Sequence, residues 1–318
     1  MAIMTERQPR TAAPPSKARR SGSVNAKAPA HRKDGRLAWV LIAPALIGFL
    51  VFAAYPTVRG IYLSFTNFRV LSPPTWTGLD NLTRLMHDDV FWHSLGVTVY
   101  FVILSVVMGM TVSLVTAVVL HRLTGSTVVR GAIILPFLIS GVVAATTWSW
   151  MLDSQLGIVN ILIERLTGDP ILFLGSRAWA IPSIALISVW KSMGYNAIII
   201  FAGLQTIPAS IYEAGRIDGA PEAKMFRYLT LPLLRPILAM VLILTVIGSF
   251  QVFDIVQVTT KGGPANASNV LQMYIYDKAF GQFDFGYAAT MSLALFAVLI
   301  GITFMQMRLT RASETDTN

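Results

Sequence analysis

The chain has 318 residues, of which 54% are apolar and 13% charged, and its mean hydropathy is +0.61. A soluble domain carries about 25% charged residues, so this composition excludes a soluble enzyme core and indicates a membrane protein with several spans. The net charge of +9 does not imply nucleic acid, because nine of the 25 basic residues fall within the first 36, a bias that orientation in a membrane explains better; with no cysteine there is no disulfide or thiolate chemistry, and the compartment cannot be read from cysteine usage.

Residues 1–36 are rich in Ala, Pro, Ser, Lys and Arg and lack an apolar period, which predicts a disordered basic cytoplasmic tail. The apolar run Leu37–Val58 exceeds the roughly 7–15 residues of a signal-peptide core and no small-residue cleavage site follows it, so it reads as a first transmembrane helix with Pro44 and Pro56 as kink points. An external loop over 60–93 carries Gly78-Leu79-Asp80-Asn81 and a charged patch in which Asp88 and Asp89 form a solvated face. A second helix is predicted from about Ser94 to Leu120, and a third from after Arg130 to Leu152 with Pro136 inside it. The external loop 153–178 holds Gly157, Asn160 and a Gly168-Asp169-Pro170 turn. A fourth helix runs from about Trp179 to Leu204, a fifth from about Ile237 to Val258, and a sixth from about Tyr287 to Met307. The transmembrane domain is thus 37–311, with a polar connection at 208–236 and a short polar tail at 312–318. An N-terminus inside places seventeen basic residues on the cytoplasmic side and seven outside, with Lys191 within a span; the tail supplies most of the excess.

The connection 208–236 has the grammar of a docking element. Ser210 and Glu213 fit a capping box. Ile211, Ala214 and Ile217 share one helical face, with Glu213, Arg216 and Asp218 at its edges. Gly219 suits the left-handed residue that ends a helix, and Pro221 the first turn of the next, which carries Met225, Phe226 and Leu229. A helix–turn–helix lying across the membrane face is expected. An amphipathic helix touching only lipid headgroups is the plainer alternative.

Glu213-Ala214-Gly215, then Asp218-Gly219-Ala220, Phe226 and Leu231-Pro232 resemble the EAA loop of ATP-binding-cassette importer permeases. Gly215 stands where the family's second alanine is usual. Trp190-Lys191 with Gly194, Ala202-Gly203-Leu204 and Gly262-Gly263-Pro264 extend the likeness to carbohydrate-uptake permeases of the maltose and glycerol-phosphate type over nearly everything after residue 36. The resemblance implies an all-α type I importer fold in the cytoplasmic membrane of a prokaryote. It also implies a second homologous permease, an ATPase dimer that binds ATP and Mg and is contacted through Glu213, Ala214, Arg216, Asp218, Gly219, Ala220 and Phe226, and an extracytoplasmic substrate-binding protein.

Polar residues within spans usually face a cavity or partner. Ser188, Lys191, Ser192 and Tyr195 share a face of the fourth helix, and the fifth carries Thr245, Ser249, Gln251 and Asp254 with Phe250 and Phe253 between. Hydroxyls and amides bond sugar hydroxyls and aromatic rings stack on sugar rings, and the family resemblance puts the pocket on these two helices. Ser188, Lys191, Ser192, Tyr195, Ser249 and Gln251 are the substrate-binding candidates. The competing reading is that the hydroxyls bond their own helix and that Lys191 pairs with a carboxylate or carbonyl as structure. There is no phosphate-binding Gly-x-x-x-x-Gly-Lys-Ser/Thr loop, no catalytic set and no His cluster to hold a metal, so no cofactor and no catalysis are expected on this chain. A sugar importer permease is the expected function. A glycerol-phosphate importer is the alternative, and an ion-coupled secondary transporter is disfavoured because neither internal repeats nor an ion-coupling set stand out.

Overall fold

The computed structural model describes residues 34–70, 72–123 and 126–315; most of the expected basic tail and the last three residues lie outside the described residues. The chain divides into two units, Met1–Tyr55 and Pro56–Asn318. In the first, α1 (Asp34–Phe49) is followed by a π-helical turn, Leu50–Ala54. It begins three residues before the expected Leu37, and Pro44 lies inside it without ending it. None of the described side chains over 38–55 is buried, and Trp39, Ile42, Phe49 and Phe52 are exposed. A helix this apolar and uncovered belongs in lipid rather than water.

The second unit contains α2 (Tyr55–Ser64, taken from Pro56), α3 (Asp80–Met86), α4 (Asp89–Leu123), α5 (Thr127–Leu138), α6 (Gly141–Met151), α7 (Ile158–Thr167), α8 (Ala180–Gln205), α9 (Ala209–Ile217), α10 (Glu222–Met225), α11 (Leu231–Phe250), α12 (Asp254–Thr259), α13 (Leu271–Tyr276) and α14 (Phe285–Thr315). Among the described residues five stretches are long and apolar enough to cross a membrane, or six if the bent pair α5–α6 is one span. The 35 residues of α4 extend about 52 Å at 1.5 Å per residue, well beyond a ~30 Å hydrocarbon core, so its ends project into the flanking layers.

Helix α8 packs along α4, α11 packs on both, and α5 packs on α8. Close approach is permitted at Gly194, where a β-carbon would collide with the Ile133 carbonyl and so drive α5 off α8. Two apolar clusters result. One, toward the α4 N-terminus, gathers Phe91, Phe101, Ile184, Val256, Leu271, Tyr287 and Met291; the other, toward its C-terminus, gathers Ala117, Leu120, Ile200, Phe201, Leu204 and Leu234.

Two expected spans are interrupted, one of them at a sharp bend. The third is α5 and α6, bent by 93°, because Ile139 (ψ 138°) and Ser140 (ψ 144°) leave helical geometry three residues after Pro136. The fifth runs continuously from Glu222 through a π-helical turn at Phe226–Thr230 to Phe250; Gln251, Val252 and Phe253 form an irregular link before α12 restarts at Asp254. An acid in a helix's first turn is favourable, so Asp254 marks a restart rather than a span interior. The expected 60–93 loop is helical to Ser64 and again through α3, and the fourth helix lies within one residue of its expected ends.

At the α4 N-terminal end, the loops are stitched by buried side chains. Asn81 donates to the Ser64 and Thr66 carbonyls at 3.0 and 2.8 Å. Asn160, 1% exposed, donates to the Leu152, Asp153 and Ile171 carbonyls and accepts from the Ile171 amide. Asp88 is not on a solvated face as expected. One carboxylate oxygen accepts from the Val90 and Phe91 amides and caps α4. The other accepts from the Tyr274 and Tyr287 hydroxyls at 2.8 and 2.6 Å. Burial pushes the Asp88 carboxyl up, but the hydroxyl and amide donors outweigh it and hold it below its ordinary value. Burial, then the bond to Asp88, pushes the Tyr274 hydroxyl up.

Candidate functional site

Where the two broken spans meet α8, a cavity of about 380 Å³ opens. All six substrate-binding candidates, Ser188, Lys191, Ser192, Tyr195, Ser249 and Gln251, line it. Phe101, Phe137, Asn196, Thr245, Phe253 and Asp254 complete much of the wall. The Tyr195 and Phe137 rings stack with centroids 4.5 Å apart and planes 13° apart. The Lys191 ammonium lies 5.5 Å from the Phe137 centroid, a cation held over an aromatic face. Among the described residues no ion pair joins Lys191 to Asp254, whose carboxylate lies beside Gly141 at the start of α6.

The hydroxyls differ in what they have free. Ser192 donates to the Ser188 carbonyl at 2.9 Å, the bond within its own helix that the plainer reading expected. Thr245 donates to the Val241 carbonyl and accepts from Asn196. The Ser188 hydroxyl is buried and has no protein partner, and such a group is costly unless something supplies one. Gln251 is exposed, on the irregular link rather than a helix face. Asn196 was not among the candidates, although it lies four residues beyond Ser192 on the same face. Phe137 carried no such signal, since only the elbow between α5 and α6 brings it to α8.

A second candidate site is the hairpin α9–α10 at the opposite end of α4. Gly219 has φ +70°. The Ala220 amide donates to the Gly215 carbonyl at 2.9 Å and the Gly219 amide to the Arg216 carbonyl at 3.0 Å, which is the Schellman closure of α9. The expected capping box is absent: Pro208 is the N-cap of α9 with no side-chain cap bond, because the helix starts at Ala209 and Ser210 is already inside it. Pro221 likewise stands just before α10 rather than in its first turn. The apolar face shared by Ile211, Ala214 and Ile217 is largely presented outward. Tyr212 and Gly215 turn in, with Ile211 half-buried, whereas Ala214 is exposed and Ile217 is 86% exposed. Gly215 explains why: a β-carbon there would sit 3.1 Å from the Met225 sulfur and 3.3 Å from Leu229 Cδ1, so the two arms meet at this position. Tyr212 and Thr230 share a hydrogen bond of 3.0 Å across the arms.

A groove of about 450 Å³ lies beside the hairpin, lined by His121, Arg122, Glu213, Arg216, Glu222 and Phe226 among others. Arg122 at the end of α4 pairs with Glu222 of α10. Glu213, Ala214, Arg216, Asp218 and Gly219 are all exposed, while Ala220 and Phe226 are half-buried. Among the described residues no three His, Asp or Glu side chains gather to hold a metal.

An apolar helical body, a polar cavity at broken spans and an exposed hairpin at one end define a membrane transport permease. The chain belongs to the family described as the binding-protein-dependent transport system inner membrane component, whose model matches residues 57–314. It is 32% identical over 284 residues to the sulfoquinovosyl glycerol transport system permease protein SmoG of Agrobacterium fabrum, covering 88% of this chain and 92% of that one. It is 37% identical over 275 residues to the lactose transport system permease protein LacF of Rhizobium radiobacter, covering 84% and 92%. The fold matches a chain of a bacterial ABC transporter that imports the acidic polysaccharide alginate, with a TM-score of 0.78 at 23% identity over 88% of this chain and 96% of that one. This chain is therefore a multi-pass, non-catalytic permease subunit of an ABC transport system.

Proposed function

We propose that the chain forms part of the path of a sugar importer, with the cavity at the broken spans as its substrate site. The observation that carries this reading is the lining: a buried hydroxyl without a partner on Ser188, an amide on Gln251, the Lys191 ammonium and stacked aromatic rings. Such a wall offers hydrogen bonds for ring hydroxyls and flat faces for the apolar side of a sugar. The names of the relatives SmoG and LacF support a glycoside or disaccharide as the cargo class.

The exposed hairpin is the docking lever. Glu213, Ala214, Arg216, Asp218 and Gly219 face a cleft on the ATPase, with Ala220 and Phe226 shaping the turn behind them. The ATPase dimer binds ATP and Mg and closes on ATP, a second homologous permease completes the path, and an extracytoplasmic binding protein delivers the sugar. The N-terminus and hairpin lie in the cytoplasm, where ATP is. Lipid surrounds the uncovered spans. A glycerol-phosphate cargo is the second reading, favoured by Lys191, the one cationic group among the described residues of the wall.

Affinity purification of the tagged chain from its membrane tests both levels. A co-purifying P-loop ATPase and homologous permease are expected, together with sugar-stimulated ATP hydrolysis on addition of the binding protein. Transport by the purified chain alone under an ion gradient would overturn the reading.

A further inference from the structure

A row of aromatic rings leaves the cavity. Phe253 lines it, and its ring centroid lies 4.8 Å from that of Tyr276. Tyr276 is 5.0 Å from Phe280, Phe280 is 5.8 Å from Phe285, and Phe285 is 5.8 Å from Phe68. The two middle rings are open: Tyr276 is 37% and Phe280 58% exposed. Phe280 sits on a π-helical turn, Asp277–Gly281, and Phe283 just beyond it has φ +55°. Widened turns and left-handed non-glycine residues are uncommon and gather where a surface is shaped for use.

Beside the rings runs a polar edge. Lys278 donates to the Gln282 side-chain oxygen and Gln282 donates to the Asp277 carboxylate, each at 2.9 Å. This edge lies between the candidate spans, which end at Thr259 and resume at Phe285, so its groups are outside the hydrocarbon layer. Aromatic faces flanked by donors and acceptors are suited to a molecule with apolar C–H faces and a rim of hydroxyls. The negative face of each ring attracts those C–H groups, and the spacing of rings allows transfer from one to the next without release into water.

We infer that Tyr276 and Phe280 form a stacking track that hands sugar rings from the outer loops to the cavity, with Phe253 as the point of entry. This rests on the sugar reading above and adds a second contact region outside the cavity. Because stacking uses ring faces, the track accepts different sugars alike, and selection is left to the polar wall beyond Phe253.

The test uses the assembled transporter, with its partner permease, ATPase and binding protein, in proteoliposomes. Uptake of radiolabelled lactose, maltotriose and raffinose is measured beside sn-glycerol 3-phosphate, which has no ring. Tyr276→Leu and Phe280→Leu keep apolar bulk but remove the stacking face. Combined, they are expected to raise KM for each transported sugar by roughly tenfold, the scale of losing one stacked ring, with the maximal rate and glycerol phosphate uptake unchanged. Phe280→Trp restores the sugar KM. Sugar KM values within about twofold of the parent would overturn the track while leaving the importer reading intact. So would failure of the double variant to co-purify with the partner permease, since the rings would then be covered by that subunit. Uptake of none of the three sugars by the parent transporter overturns the sugar reading and the track with it.

Discussion

The two ends of α4 are built in opposite ways. At its N-terminal end, loops are fixed by buried side chains that bond backbone or one another: Asn81, Asn160 and the Asp88–Tyr274–Tyr287 cluster. At its C-terminal end the hairpin stands out on a glycine turn, one Tyr212–Thr230 bond and an exposed ion pair. Buried networks resist rearrangement because every broken bond leaves an unpaired polar group. Backbone-closed turns with exposed faces leave side chains available to a partner. One end is therefore a rigid lid over loops, and the other a presented lever.

The largest effect is expected at the lever. Gly219→Pro cannot adopt φ +70°, so sugar uptake should fall by roughly a hundredfold, the upper range of coupling between distant sites, with the chain still found in the membrane by fractionation. Normal uptake would break the contrast between the two ends. At Gly215, alanine should be tolerated because Met225 and Leu229 present flexible tips, whereas valine should uncouple uptake from ATP hydrolysis.

At the other end, Asp88→Ala should destabilise the purified protein by about 2–4 kcal/mol, from loss of the cap and two stranded tyrosine hydroxyls, seen as a lower Tm with hydrolysis still sugar-stimulated. The pH dependence follows from the direction of the shift. The Asp88 carboxyl is held low in the folded state, so its contribution is present above the unfolded value and lost as pH falls through the folded one. The Tm advantage over Asp88→Asn should therefore shrink below about pH 4. Tyr274 is pushed up, so its contribution persists at neutral pH and is lost only as strong alkali reaches its folded value.

In the cavity, Lys191→Ala should raise the uptake KM by about tenfold, the scale of one hydrogen bond to a charged group; an unchanged KM and unchanged stimulated hydrolysis would remove Lys191 from the site. The smallest effect is expected for Arg122→Ala. Its pair with Glu222 is half-exposed on both sides, so thermal stability should change by no more than about 1 kcal/mol.

Much of this was legible in the sequence, because long apolar runs and helical spacing are local signals. The ends of the fourth helix, the Gly219 turn and the face shared by Ser188, Lys191, Ser192 and Tyr195 all follow from residues within a few turns of each other. What escaped depends on distant partners. Asp88 is polar and sits in a loop, so nothing nearby announces two tyrosines about two hundred positions later. The elbow at Ile139–Ser140 is hidden in an apolar run whose hydropathy does not change. Which face of α9 turns in is set by a contact between Gly215 and the opposite arm, and the more apolar Ile217 stays exposed.

The contact at Gly194 has a mechanical corollary. With the Ile133 carbonyl pressed against a position that has no side chain, α5 and α8 meet backbone to backbone, and any side chain at 194 would wedge them apart. The Phe137 and Tyr195 rings stack across these two helices, close to the right-angled corner ahead of α6.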